Sequence, residues 1–398
     1  MPALLDLSRV DPGPANASGP IRALIVISNL EYGGAQRQVV EIANNADPRR
    51  LEVHIGSLSD YVPLASDLKD PSRLHVIQKR FKFDLTVVPR LARLLRSLGA
   101  HVVHGYLFDA EIATRLAGRL ARTPLVVGSE RNTDYYLKPR QLAAYRLTRG
   151  LVDLVIANSR AGAEFNRRTL GHDPGIYRVV HNGVNVARFS PRDGREARRE
   201  LGLTEREPVV GMFASFKQQK NHPLFFAAAR RILARLPETR FLLVGEELYA
   251  GMHGSGEYKR RMDELVEETG IRHRCLFLGN RADVERLYCA CDVTVLPSLF
   301  EGTPNVLIES MACGVPVVAT SVSDNAYIVP EGVAGYLVPL GDEGALAERI
   351  CRLLEDETHR AELSRNARAW TLQEFSSVQL ARKTEAVYRE ALEGQAIP

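Results

Sequence analysis

The chain has 398 residues, 45% hydrophobic and 25% charged, an ordinary soluble globular composition that is long for one core and suits two domains. No apolar run approaches the roughly 20 residues that span a bilayer, which excludes a membrane-spanning class. The net charge of +4 hides an asymmetry. Residues 1–190 carry 26 Lys and Arg against 17 Asp and Glu, a net +9, and the remainder 26 against 31, so the first half is expected to meet something anionic.

Residues 1–20 are rich in Pro, Gly, Ala and Ser and lack a basic start followed by an apolar block, so no signal peptide is expected. Apolar, β-branched runs then follow at 22–29, 51–58, 73–78, 101–106, 124–129, 152–159 and 176–182, and again at 208–215, 240–246, 274–279, 292–298 and 315–320. Helical patterns separate them. Short continuous runs alternating with helices predict parallel sheets covered on both faces. The polar stretch 187–207 separates the halves. The expected organisation is a first domain over 1–190, a second over 191–374, and a helix over 375–398 returning to the first. Two doubly wound, Rossmann-like α/β domains across a cleft follow, with ligands beyond the carboxyl ends of the strands. The five cysteines, Cys275, Cys289, Cys291, Cys313 and Cys351, fit no zinc motif and suit reduced core thiols in the cytosol.

Four loops carry chemistry. In "SNLEYGGAQRQ" (28–38), Gly33 and Gly34 let backbone approach a ligand, and the following helix offers amides to an anion. A plain strand-to-helix turn is the alternative. In "HVVHGYLFDAE" (101–111), His104 and Tyr106 share one face at a strand end, either facing a sugar hydroxyl or packed in the core. In "ASFKQQKNH" (214–222), Lys217 and Lys220 either neutralise phosphate oxygens or are solvated.

The fourth is "LFEGTPNVLIESMACGVPVVAT" (299–320), which places Glu301 and Glu309 around a helix start, with Thr303 as N-cap, Pro304 at the first helical position and Gly314 past the end. A carboxylate near apolar neighbours needs a partner. The amides of Asn305 and Val306 form an anion site, which leaves the glutamates to accept hydrogen bonds from neutral hydroxyls. A Mg²⁺ site competes poorly, since no neighbouring Asp or Asn completes an oxygen cage.

With "GGAQRQ" (33–38), "VIANS" (155–159), "VVHNGVN" (179–185), "KQQKNH" (217–222), "LFLGNRADVERLYCACDVTVLPS" (276–298), the stretch 300–320 and "GYLVP" (335–339), nearly the whole chain resembles the retaining glycosyltransferases of family four, the glycosyltransferase group 1 class, with the GT-B fold. The Glu-x7-Glu motif after Leu-Pro-Ser is its most specific part. The resemblance implies an EC 2.4 enzyme with no cofactor and no metal site, whose partners are a nucleotide-diphosphate sugar, UDP-sugar favoured over GDP-sugar, and a sugar or lipid-linked sugar acceptor. It implies no nucleic acid. Glu301 would hold the donor sugar, beside Gly302 and Thr303, and Glu309 the ribose. Lys220 would contact the diphosphate with the backbone at Asn305 and Val306. Gly279 and Arg281 lie where the family binds the base, and Gly34 where its glycine loop nears the phosphates.

Two departures stand out. The family commonly has an arginine where this chain has Ser215, so Lys217 is the candidate substitute. It often has a second histidine where this chain has Tyr106, whose hydroxyl still donates a hydrogen bond. The expected catalytic set is Glu301, Lys220, His104 and Tyr106. Acceptor contacts are expected from variable loops of the first half, where Arg131 and Asn132 face either an acceptor or solvent. Another GT-B enzyme, such as a nucleotide-sugar epimerase, and a non-catalytic GT-B binding protein are the alternatives. Finally, "KRFKFDLTVVPRLARLLRSLG" (79–99) sets Arg90 and Arg93 beside a leucine stripe, after Lys79, Arg80, Phe81, Lys82 and Phe83. Either an anionic membrane at the cytoplasmic face or the protein's own sheet takes that stripe.

Overall fold

The computed structural model describes residues 19–81, 84–131, 137–246 and 255–394. They divide into two compact units: one ends at Gly183 and resumes at Ser376, and the other is Val184–Phe375. The first division therefore falls earlier than residue 190.

In chain order the first unit holds β1 (Ile21–Ile27), α1 (Gly34–Asn45), β2 (Leu51–Ser57), β3 (Leu74–Val76), α2 (Val87–Leu98), β4 (Val102–Tyr106), α3 (Phe108–Ala121), β5 (Leu125–Glu130), α4 (Pro139–Leu147), β6 (Leu154–Ala157), α5 (Arg160–Leu170) and β7 (Tyr177–Val179). The second holds α6 (Arg195–Glu200), β8 (Val209–Phe213), α7 (His222–Arg235), β9 (Arg240–Val244), α8 (Ser255–Glu268), β10 (Cys275–Gly279), α9 (Val284–Cys289), β11 (Val293–Leu296), α10 (Asn305–Ala312), β12 (Val317–Thr320), α11 (Asn325–Ile328), β13 (Gly335–Val338), α12 (Glu343–Glu355) and α13 (Glu357–Glu374). Finally, α14 (Ser377–Gly394) rejoins the first unit.

Among the described residues, the first sheet has the order β3-β2-β1-β4-β5-β6-β7 and the second β10-β9-β8-β11-β12-β13, all neighbours parallel. The expected α/β, doubly wound class is what the chain adopts. Strands buried on both faces have no use for alternation, hence runs such as "RALIVI" and "VPVVAT". The runs expected at 73–78 and 176–182 yield only the short strands β3 and β7, because both are sheet edges. The edge strand β13, only four residues long, lay outside the expected runs.

Each sheet is covered on both faces. In the first unit, Val39, Ile42, Leu380, Val387 and Tyr388 from α1 and α14 cover one face, and Leu91, Leu95, Ala113 and Ala117 from α2 and α3 cover the other. In the second, Phe225, Phe226, Ile232, Leu346 and Ile350 pack one face, and Leu307, Ile308, Met311 and Ala367 the other. The leucine stripe of α2 is thus spent on the sheet. Its two prominent arginines differ: Arg90 donates to Asp84, 2.9 Å, and to the carbonyl of Gln78, 3.0 Å, whereas Arg93 is exposed. Lys82 and Phe83 lie outside the described residues.

Gly105 sets how closely α3 lies on β4. A Cβ there would stand 2.4 Å from Thr114 Oγ1 and 2.7 Å from the backbone of Glu111. Backbone cannot swing aside as a flexible side chain can. Gly105→Ala is expected to destabilise the first unit by about 1–3 kcal/mol, read as a fall in the urea unfolding midpoint. An unchanged midpoint would show that the helix can move away freely.

Candidate active site

In the second sheet the strand order reverses between β8 and β11, and ligands of such sheets bind beyond the strand ends at that reversal. The loop after β8 carries Lys217 and Lys220, and the loop after β11 carries Ser298 and Glu301. The two are sewn together. The amide of Leu299 donates to the carbonyl of Gln219, 2.8 Å; the Gln219 side chain donates to the carbonyl of Phe300, 2.8 Å; and that of Asn221 to the carbonyl of Pro297, 3.1 Å. This stitching brings Lys220 Nζ to 2.5 Å from Glu301 Oε1. Glu301, only 5% exposed, also accepts from Ser298 Oγ at 2.6 Å, while its amide donates to Ser323 Oγ at 3.0 Å. A carboxylate this enclosed is held by a cation and a hydroxyl, as a buried charge must be.

Lys217 is half-buried near the same pair. Burial, then the Lys220 charge, lowers its pKa, and Glu301 acts against both. No hydrogen bond or ion pair of its ammonium group exists among the described residues. Ser215, two residues earlier, gives its carbonyl to the Lys217 amide at 2.9 Å.

Helix α10 begins one residue later than expected. Pro304, not Thr303, is the N-cap; it stays extended, φ −74° and ψ 104°, and its carbonyl takes the Leu307 amide at 3.2 Å. Proline has no side-chain acceptor, so the N-cap residue itself makes no side-chain cap bond. Gly302 and Thr303 are buried just before it. The other end closes as expected: Gly314, φ +73°, lets the amides of Gly314 and Val315 reach the carbonyls of Met311 and Ser310, both at 3.0 Å. Glu309 is half-buried rather than core, and its Oε2 accepts from the hydroxyl of Tyr288 on α9 at 3.0 Å.

Beside these loops the ends of β8, β9 and β10 meet. Gly245, φ +143°, stands where a Cβ would lie 2.2 Å from the carbonyl oxygen of Ala214, and its amide donates to the carbonyl of Gly279, φ +62°, at 2.9 Å. Arg281 pairs with Asp283 at 2.7 Å near the surface.

The first unit has its own reversal, between β1 and β4. Gly33 caps α1 without a side chain and Gly34 opens the helix. A Cβ on Gly33 would strike Gln36 Oε1 at 2.3 Å, and that side chain donates to Asn29 Oδ1 at 3.0 Å. His104, Tyr106 and Arg131 come together. The His104 and Tyr106 rings lie 4.6 Å apart, and the Arg131 guanidinium stands 5.2 Å over the Tyr106 ring while donating to Asn182 Oδ1 at 2.6 Å. His104 does not reach solvent. Its Nδ1 meets the Tyr388 hydroxyl at 2.6 Å and its Nε2 the Ser129 hydroxyl at 2.7 Å, so both ring nitrogens are committed. Tyr106 is equally enclosed. Asn132 lies outside the described residues.

Residues 193–370 match the family described as glycosyl transferases group 1, and residues 32–188 match glycosyltransferase family 4. The chain belongs to the family 4 glycosyltransferases. It is 27% identical over 321 residues to an Escherichia coli UDP-Gal:alpha-D-GlcNAc-diphosphoundecaprenol alpha-1,3-galactosyltransferase, covering 77% of this chain and 79% of that protein. It is 37% identical over 205 residues to D-inositol 3-phosphate glycosyltransferase of Mycobacterium sp. strain KMS, covering 51% of this chain and 45% of that one. The Anabaena HepE structure in complex with UDP superposes with a TM-score of 0.79 over 93% of this chain and 100% of its own, at 24% identity, which carries the GT-B fold. As a glycosyltransferase of this family, the chain takes its sugar from a nucleotide sugar.

Among the family's sequence signatures, Glu301, Lys220 and Lys217 gather at one reversal, whereas Arg281 turns to Asp283. Sequence reasoning missed Ser298, Gln219 and Ser323 as holders of Glu301, Tyr288 as holder of Glu309, and Gly245. Only Ser298 had a signal, three residues before Glu301.

Buried histidines give the protein an acid limit, His104 and His222 most strongly and His172, pulled down to about 4 by burial, beside them. Burial, then Arg131, pulls His104 down to about 3; burial, then Lys220 and Lys259, does the same for His222, which is stacked on Phe216 at 4.4 Å. Between about pH 3 and 6.5 the unfolded chain binds these protons and the folded chain does not, so stability falls as pH falls. Each such histidine contributes up to about 1.4 kcal/mol per pH unit in that window. The melting temperature is expected to drop from pH 7 to pH 5, and His222→Gln to flatten the drop. A profile that stays level in the wild type would overturn the assignment.

Proposed function

We propose that this protein is a retaining, metal-independent glycosyltransferase of UDP-sugars whose acceptor is a lipid-linked or polysaccharide intermediate, working at the cytoplasmic face of a membrane. The observation that carries the reading is the Lys220–Glu301–Ser298 constellation at the reversal of the second sheet. In this reading the donor diphosphate draws Lys220 and Lys217, together with the first amides of α10 at Asn305 and Val306. These groups stabilise the negative charge that grows as the sugar leaves, so no metal is required. Lys217 stands in for the arginine replaced by Ser215. Glu301, with Gly302 and Thr303, accepts hydrogen bonds from the sugar hydroxyls and fixes the anomeric carbon for attack. The acceptor oxygen bonds to that carbon from the face the diphosphate leaves, and its proton passes to the departing phosphate oxygen. Glu309 takes the ribose, and Gly279 and Arg281 flank the base. Tyr106 and His104 act by shaping the floor beneath Arg131 rather than by exchanging protons, because burial raises the tyrosine pKa and lowers that of the histidine. The UDP assignment is supported by the UDP-bound neighbour and by the UDP-galactose named for the E. coli relative.

The lipid-linked acceptor is supported by that relative's diphosphoundecaprenol substrate and by exposed apolar and basic side chains close in sequence on the first unit. No helix among the described residues is long and apolar enough to cross a membrane. Phe81 is 62% exposed and Leu85 75% exposed, with Arg80 and Arg93 also exposed nearby in sequence. Large apolar side chains beside arginines suit an anionic bilayer surface.

Two experiments test this. Release of UDP from UDP-glucose without acceptor should fall about a hundredfold in Glu301→Ala while UDP affinity changes little, and wild-type release should persist in EDTA. Wild-type turnover by Glu301→Ala, or full loss on chelation with recovery on Mg²⁺, would sink the assignment. Co-sedimentation with vesicles should rise with phosphatidylglycerol, fall with salt, and weaken when Phe81 and Leu85 become serine and Arg80 and Arg93 become glutamine. No sedimentation under any lipid condition would remove the membrane from the proposal.

A further inference from the structure

Tyr288 has a role that no sequence motif assigns. It sits on α9, 1% exposed, with its ring stacked on Phe213 at 3.8 Å and 22°, and with Phe189 edge-on at 6.2 Å. The stack on Phe213 comes from β8, the strand beside the reversal, so the ring is locked to the sheet. From this fixed ring the hydroxyl donates to Glu309 Oε2 at 3.0 Å. Burial, then the Glu309 charge, keeps the phenol protonated, so it is a permanent donor to that carboxylate.

We propose that Tyr288 is a positioning residue that sets sugar specificity in the nucleotide. It aims the Glu309 carboxylate so that the enzyme accepts ribonucleotides and rejects their deoxy counterparts. The inference rests on Glu309 taking the ribose. A carboxylate has two oxygens and about four acceptor directions, and a bond from a rigid donor anchors one oxygen and narrows the rotamers the group can take. Glutamate on a helix otherwise has three rotatable bonds, and an acceptor that wanders discriminates poorly. An acceptor built for a hydroxyl, once the bound nucleotide covers it, rejects the analogue that lacks it far better than an apolar pocket rejects an extra group. Discrimination therefore depends on how firmly the carboxylate is held. Tyr288 does the holding without touching the nucleotide.

The test is the ratio of dissociation constants for UDP and for its 2′-deoxy and 3′-deoxy analogues, by calorimetry on the full chain. Wild type should bind UDP at least tenfold more tightly than one of the analogues. Tyr288→Phe keeps the ring and its stack and should cut that ratio about five- to tenfold, mainly by weakening UDP. A merely structural role would weaken all three ligands alike and leave the ratio intact. If Tyr288→Phe does not fold, Phe213→Leu loosens the same ring and should also lower the ratio. Glu309→Gln separates the two layers of the argument. Should it collapse the ratio while Tyr288→Phe, or Phe213→Leu in its place, leaves it untouched, the positioning role is wrong and the ribose assignment stands. Should Glu309→Gln leave the ratio untouched, or should wild type show no discrimination, the ribose assignment fails and the positioning role with it.

Discussion

The ion pair of Lys220 with Glu301 organises the second unit. Neither charge tolerates enclosure alone, and at 2.5 Å, with Ser298 as a third member, each makes the other's burial affordable. The pair dictates that the loops after β8 and β11 converge, which accounts for the backbone stitching through Gln219 and Asn221. It also fixes where α10 starts, since Glu301 lies just ahead of Pro304.

Much of this was legible in the sequence, and the exceptions share a physical cause. Strand runs announced the sheets because parallel strands are apolar on both faces. The Glu-x7-Glu spacing and Leu-Pro-Ser marked the candidate site because those residues are local to one loop and helix, and the structure joins Ser298 to Glu301 there. What stayed hidden was set by pairing across distance. Glu309 and Tyr288 are joined from different helices, and nothing in either helix's periodicity records the bond. Period two placed His104 and Tyr106 on one face, but it could not tell that a tyrosine 284 residues onward would cover the histidine. Arg90 and Arg93 look equivalent by helical spacing, yet Asp84, just before the helix, recruits only the first.

The first unit solves a different problem from the second. Beside a buried ion pair of Arg115 with Glu111, its elements are joined by short polar bridges. Gln38 is the clearest case: its amide donates to the Gly183 carbonyl at 3.0 Å and accepts from the Gly183 amide at 2.7 Å, a side chain imitating a strand neighbour. Glu111 is enclosed with Arg115 and Tyr145, and burial raises its pKa. Such networks are costly when incomplete and specific when complete. They hold the strand ends of this unit in one arrangement while leaving its exposed loops free to differ.

The return of α14 has a consequence for how the chain is made. The helix supplies Leu380, Val387 and Tyr388 to the first unit's core and the hydroxyl that seals His104. Those residues leave the ribosome only after Val184–Phe375 has been synthesised. The earlier-made unit must therefore wait, with one face of its sheet covered only in part by α1, while the later-made unit already has all its residues. Vectorial synthesis inverts the order in which the two cores can close. During that interval an apolar sheet face and a buried-to-be histidine meet water, so the period before the last helix docks is when a nascent chain of this design is most open to chaperones and to misassociation.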